Sequence, residues 1–487
     1  MSTAALSEHI PVSRRDGGSF RDPSGYVFHK AGEVYRALSD TAYADFAELH
    51  ASGLLDELQA KKLLVGTSLV EERTELDTLA EENPGYRHFL RHERIAPITY
   101  PYEWTISMVG DAAILTLQLQ RALLKAGWSL KDATAYNIQF VGGRPIFIDI
   151  TSIERPQRLD VWYALGQFTQ MFLFPLILFR YHGWDFRSYY LGSMSGRDVA
   201  AVARALGFFE RWGPRALLDV TLPLLFEASD TSKSKAEAAL KRPNKNRDVQ
   251  LLNLDRLERK IRRLVGGYKP TGHWVDYHAT CNYSGSADEA KKALVADMLA
   301  AVRPSRVLDV GCNTGDYTRL ALVHGASVIA VDADHDVVDM LRRRLHDEPA
   351  AVSPMVVNLT DPSPAIGFMN TERQSFMERV QADCAIALAL LHHLCITGNL
   401  SLTAVSDLFS KLTTRYLILE HVPPGDSMFQ KLVALRTDRH EHLTLDACRD
   451  AFSRSFVRVR EAIVPGTQRT LLLLRKKDQL AWGESVS

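Results

Sequence analysis

Arg306-Val-Leu-Asp309-Val-Gly311-Cys-Asn313-Thr-Gly315-Asp316-Tyr-Thr-Arg-Leu-Ala-Leu322 is an apolar strand that breaks into a glycine turn and then a helix. Gly311 permits a sharp backbone turn after the strand. Gly315 lets the helix starting near Asp316 pack closely on the sheet, so a ligand can approach main-chain N–H groups without meeting a Cβ. Asn313 stands where a third glycine is common. About twenty residues on, Ala-Ser-Val-Ile-Ala-Val-Asp332 reads as a second buried parallel strand ending in a carboxylate, the position from which an acid accepts hydrogen bonds from ribose hydroxyls. Two strand ends then face one ligand. A dinucleotide would set its pyrophosphate over the helix N-terminus, whereas Asp309 places a negative charge beside the loop, which suits a cation.

This combination resembles motif I of class I S-adenosylmethionine-dependent methyltransferases. The resemblance implies that Asp309, Gly311, Asn313 and Gly315 cradle the amino-acid part of the cofactor and that Asp332 binds its ribose. Pro354-Met-Val-Val-Asn-Leu-Thr-Asp361 reads as the third strand and its loop, where such enzymes place an acid or amide against the adenine edge. Asn358, followed by Leu359, takes that position. The continuously apolar run from Ala382 is expected to be a fourth parallel strand, buried on both faces and ended by His392 and His393. Arg415 to Pro423 is a fifth, with Glu420 and His421 at its ligand end. Phe456 to Ile463 and Thr470 to Leu474 alternate and complete a seven-stranded count as a hairpin turning at Pro465-Gly466. The expected fold is therefore α/β, with a Rossmann-like seven-stranded sheet over residues 270–478.

Methyl transfer from a sulfonium is an in-line displacement with a good leaving group, so protein residues mainly supply proximity and a base for the acceptor. His392, His393 and Glu420 are the candidate catalytic groups. No third ligand accompanies the His pair, so no metal site is expected there.

The first half reads differently. Residues 1–20 have turn composition and are expected to be a flexible arm. Ser24 to Leu38 reads as two short strands around Ala31-Gly32, Tyr43 to Ala60 as a helix, Leu63 to Val70 and Glu93 to Tyr100 as further strands, and Ala112 to Ala126 as a long helix. Then Leu130-Lys-Asp132-Ala-Thr-Ala-Tyr-Asn137 is followed by a strand, a Gly142-Gly143 turn and a strand ending at Asp149. Asp132 and Asn137 share the spacing of a kinase catalytic loop, and Asp149 stands where the metal-binding acid follows. The stretch resembles protein-kinase-like and aminoglycoside-phosphotransferase-like folds. That resemblance implies an α+β domain over residues 21–228 with ATP and magnesium at Asp132, Asn137 and Asp149. The histidine usual before the catalytic acid is Leu130, Ile150-Thr151 replaces Phe-Gly, and no glycine-rich phosphate loop precedes a clear strand lysine, for which Lys30 is the nearest candidate. A degenerate lobe whose Asp and Asn merely hold a loop accommodates these departures.

Residues 162–227 are rich in aromatics and leucine and read as the core of a helical lobe. Residues 229–269 read as a basic linker followed by a bridging helix from Leu251 to Val265. Trp274, Tyr277 and Tyr283 stand ahead of a helix from Ala287 to Ala301, either as a cover for the cofactor or as core. Residues 479–487 read as a tail. The two halves together resemble a group of two-part bacterial methyltransferase-like proteins, some of them nodulation-related, in which an aromatic residue is expected at the position of His421.

With 487 residues, 46% apolar and 24% charged, the chain has the composition of a globular protein of two or three domains. Lys plus Arg and Asp plus Glu both number 58, so no global field recruits nucleic acid or an anionic membrane. The five cysteines lie far apart, which fits a reducing cytosol, and no apolar run approaches a bilayer span. A cytoplasmic methyltransferase of a small molecule is the main expectation, with room for a protein partner. A bifunctional enzyme with an active phosphotransferase half and a non-catalytic cofactor-binding module are the alternatives.

Overall fold

The computed structural model describes residues 13–227, 246–271, 285–345 and 351–477. The basic linker before Asn246, Trp274, Tyr277, Tyr283 and the tail lie outside them.

The second half is built on a seven-stranded sheet. Its strands are β10 (Arg306–Val310), β11 (Ser327–Asp332), β12 (Val352–Val356), β13 (Ala382–Ala387), β14 (Thr413–His421), β15 (Phe456–Ile463) and β16 (Thr470–Lys476). They lie in the order β12-β11-β10-β13-β14-β16-β15. The first five are parallel, while β16 runs antiparallel to both β14 and β15. Reversal of the order on either side of β10 opens a crevice beyond the strand carboxyl ends between β10 and β13, the place where open α/β sheets bind ligands. Central strands such as Ala382–Ala387 are apolar on successive residues from Cys384 because helices cover both faces.

The first half carries a five-stranded antiparallel sheet ordered β1-β2-β3-β5-β4: β1 (Arg14–Arg15), β2 (Gly25–Lys30), β3 (Glu33–Leu38), β4 (Thr67–Leu69) and β5 (His88–His92). Ala31 and Gly32 both adopt positive φ in the β2–β3 turn. Beneath the sheet, α4 (Ile106–Lys125) is the central helix of a large core, followed by the hairpin of β7 (Ile138–Val141) and β8 (Arg144–Phe147) and by the helical lobe expected after Trp162.

Several local expectations are corrected. Residues 13–20 of the expected arm are built into the fold: β1 pairs with Phe28 and His29, and Phe20 stacks on Phe368 with ring centroids 5.5 Å apart. Gly53, at φ 72°, breaks the helix expected over 43–60 into Asp40–Ala51 and Leu54–Ala60. Leu63 to Val70 forms a strand only at Thr67–Leu69, and the strand placed at 93–100 falls instead at His88–His92, after an unanticipated helix at Arg73–Glu82. The bridging helix runs over Asp248–Gly266 and inserts Leu254, Leu257, Ile261 and Leu264 into the first core, so it is an integral part of that half. His392 and His393 lie in a short helix, Leu391–Ile396, rather than on the strand itself.

Candidate active site

At the carboxyl end of β10 the chain turns through Gly311 (φ 72°), Asn313 (φ 48°) and Gly315 (φ 94°), three left-handed residues within five. Asn occupies the one position that lacks glycine because its short amide tolerates this conformation. The two glycines act for different reasons. A Cβ on Gly315 would lie 2.2 Å from Leu341 Cδ1, so close helix packing excludes it, whereas one on Gly311 would meet only Leu390 Cδ1 at 3.6 Å. There the backbone angle alone selects glycine.

Asp332 closes the turn, one oxygen accepting from the Asn313 amide at 3.0 Å and the other from Asp334 N–H at 3.0 Å. Burial pushes its carboxyl up despite those bonds. Asp309, behind the loop, accepts from Thr318 Oγ1 at 2.6 Å, and burial, reinforced by Asp332, pushes it up to about 6. Gly311, Asn313, Gly315, Asp309 and Asp332 thus form one cluster. Asn358 lies exposed beyond β12, its side-chain oxygen accepting from Thr360, and Leu359 is buried beside it.

The β13 side of the crevice rests on an ion pair. Glu420, wholly buried, accepts from Lys291 Nζ at 2.7 Å and from the Ala389 amide at 2.7 Å. Ala389 is left-handed at φ 50°, and the next residue, Leu390, lies against Gly311. Glu420 therefore holds the loop that walls the crevice, and its carboxylate is committed to that task rather than presented as a base. Helix Leu391–Ile396 follows at once. His392 is buried against Phe429, and desolvation, reinforced by His393 and Arg469, lowers its pKa to about 3. His393 is half-buried and also lowered by desolvation. His421 bonds through Nε2 to the Leu443 carbonyl at 3.0 Å. Lys291 and Leu390 were not singled out in the sequence; a lone lysine in a helix carries no signal before its partner across the sheet is known.

The three residues expected to form a nucleotide site in the first half also converge. Asn137 Nδ2 lies 3.4 Å from Asp132, 3.5 Å from Asp149 and 3.2 Å from Ser152 Oγ. Lys30 does not reach them, being paired with Glu82 at 2.6 Å. Arg36 on β3 does, binding Asp149 at 2.9 Å, Asp22 at 2.7 Å and Thr151 at 2.6 Å. Burial pushes Asp132 up, whereas for Asp149 burial is outweighed by Arg36 and two hydroxyls, and its carboxyl lies below the usual range.

The halves meet through polar contacts next to both centres. The free N–H groups opening α4 are capped from the second half: Ile106 donates to His335 Nε2 at 2.8 Å and Ser107 to Asp339 at 3.2 Å. Arg342 bonds Ser107 Oγ at 2.8 Å, Asp111, and the Gly143 carbonyl of the β7–β8 turn at 3.1 Å. Arg379 pairs with the wholly buried Glu103.

Strand order, left-handed loop and capping acid together define a class I methyltransferase fold in the second half. The chain belongs to the family of nodulation protein NoeA of Rhizobium meliloti (strain 1021), with which it is 32% identical over 480 residues, 98% of this chain and 99% of that one. A shorter similarity, 37% over 59 residues, links 12% of this chain to 21% of ribosomal RNA small subunit methyltransferase A of Synechococcus sp. (strain JA-2-3B'a(2-13)). Among solved structures, the N-methyltransferase NodS from Bradyrhizobium japonicum WM9 aligns over 40% of this chain and 99% of its own, at 13% identity and a TM-score of 0.31. No family model matches.

Proposed function

We propose that the chain is an S-adenosylmethionine-dependent methyltransferase acting on a small molecule, with the first half serving as a scaffold for acceptor or partner. The observation that carries this reading is the Asp332 carboxylate, which caps the left-handed 311–315 loop at the point where the strand order reverses. The residues present fit the cofactor. The loop offers amides without side-chain obstruction at Gly311, and Thr314 Oγ1 beside them is buried with no hydrogen-bond partner.

When bound, the cofactor supplies an electrophilic methyl on a positively charged sulfur. Asp332 would accept from ribose hydroxyls, Asp309 would favour the positive charge, and Asn358 with Leu359 would border the adenine. His393, half-buried and with its pKa lowered by desolvation, would take the acceptor proton, and the more deeply buried His392 packs beside it with ring centroids 4.4 Å apart. Glu420 positions the loop carrying them.

Convergence of Asp132, Asn137 and Asp149 favours a second reading, a phosphotransferase-like centre that uses ATP and magnesium. Arg36 weighs against activity, since its guanidinium already neutralises Asp149, the expected metal ligand.

Calorimetry decides between them. S-adenosylhomocysteine is expected to bind the wild type, and Asp332→Ala to weaken it at least about tenfold, the loss of one or two charge-assisted hydrogen bonds. Unchanged affinity in that variant would sink the cofactor assignment. Magnesium-dependent ATP binding abolished by Asp149→Ala would instead establish the bifunctional reading.

A further inference from the structure

Outside both centres, a cavity of about 680 Å³ opens between helix Leu391–Ile396, helix Leu402–Leu412 and helix Leu445–Ser453, lined among others by Cys395, Thr403 and Arg454. Its rim is the segment Asp438-Arg-His440-Glu-His442, and all three of Asp438, His440 and His442 line it. One ligand atom from each lies within 4.8 Å of the others. The His440 side chain is largely covered, at 13% exposure, and its Nδ1 stands 3.7 Å from Asp438 Oδ2.

We propose that Asp438, His440 and His442 bind a divalent first-row transition metal of the zinc class, with its remaining coordination positions facing the cavity. Two imidazoles and a carboxylate are the donors such ions prefer, whereas magnesium and calcium take oxygen ligands. Three protein ligands leave room for water or a bound molecule. A tetrahedral ion with bonds of about 2.0–2.1 Å sets its ligand atoms about 3.3 Å apart. Rotation of the exposed Asp438 and His442 side chains closes that difference, with His440 as the anchor. The site is also tied to the catalytic crevice, because the carbonyl of Leu443, the residue after His442, bonds His421 Nε2 at the end of β14. A bound ion fixes this segment and with it the His421 ring. The Asp-x-His-x-His spacing was not singled out in the sequence; the fold sets it on a cavity. The proposal stands independently of the methyltransfer reading.

The test uses the full untagged chain stripped of metal, titrated with zinc by calorimetry and with cobalt by visible absorption. One equivalent is expected to bind the wild type. Asp438→Asn/His442→Gln is expected to weaken binding at least about a hundredfold and His442→Gln alone at least about tenfold, while S-adenosylhomocysteine binding and the circular dichroism spectrum stay as in the wild type. Zinc is also expected to raise the melting temperature of the wild type only. Absence of stoichiometric binding, or equal binding by wild type and a folded variant, overturns the proposal.

Discussion

Single residues at the 311–315 loop make separable predictions. Gly315→Ala meets both the positive φ and Leu341, and is expected to cost about 2–4 kcal/mol in denaturant unfolding. Gly311→Ala meets the angle alone and should cost about 1–2 kcal/mol. Equal losses would show that helix packing does not select Gly315. Asp309 and His392 should bend the pH dependence of stability in opposite senses. Folding raises the Asp309 pKa from 3.8 to about 6, so the folded chain holds the extra proton between those values. Its contribution is present below about 4 and lost as pH rises through 6, and Asp309→Asn is expected to remove that loss. Folding lowers the His392 pKa from 6.5 to about 3, so the unfolded chain binds the extra proton. Its contribution is present above 6.5 and lost as pH falls towards 3, and His392→Gln should flatten the acid limb of a stability profile measured by urea unfolding.

Elements are joined here by buried charge rather than by apolar contact alone. Helix Gly285–Val302 is fastened to β14 through Lys291 and Glu420, both nearly inaccessible. Lys291→Met removes the nearer of two cations beside the buried Glu420 carboxylate, Arg469 Nη1 standing at 3.8 Å from its other oxygen, and is expected to cost about 3 kcal/mol. Adding Glu420→Gln should recover much of that stability, yet it replaces the charge that holds the Ala389 amide, so S-adenosylhomocysteine affinity should stay reduced. Full recovery of both stability and binding in the double variant would show that Glu420 only balances Lys291. The five parallel strands were legible in the sequence because strands covered on both faces are largely apolar, and the antiparallel hairpin was marked by its Pro465-Gly466 turn. The first-half strands were misplaced at 93–100 because short antiparallel strands such as Thr67–Leu69 owe their existence to cross-strand partners at Leu90 to His92. Similarly, the break at Gly53 lay inside a sustained apolar period, and one left-handed glycine outweighed it.

At the scale of the whole molecule, the two halves share their polar groups. Helix α4 has its N-terminal amides capped by His335 and Asp339, and these residues follow directly from the strand that ends in Asp332. Arg342 spans from that same helix to the turn between Asn137 and Asp149. The halves are therefore expected to unfold together in one calorimetric transition. Arg379→Leu, which leaves Glu103 buried without its partner, should lower that transition as a unit, by about 3–5 kcal/mol. Two separate transitions in the wild type would show that the halves are independent. Residues 306–332 by themselves determined two central strands, the left-handed turn after the first and the acid that ends the second, because those features are local: a strand, a turn that needs left-handed residues, and a carboxylate at the next strand end. The pairing of Arg36 with Asp149, the burial of Glu420 on Lys291, the gathering of Asp438, His440 and His442 on a cavity, and the seam between the halves were decided by tertiary structure alone. Each depends on which distant charge shares a water-poor site, and linear spacing does not carry that information.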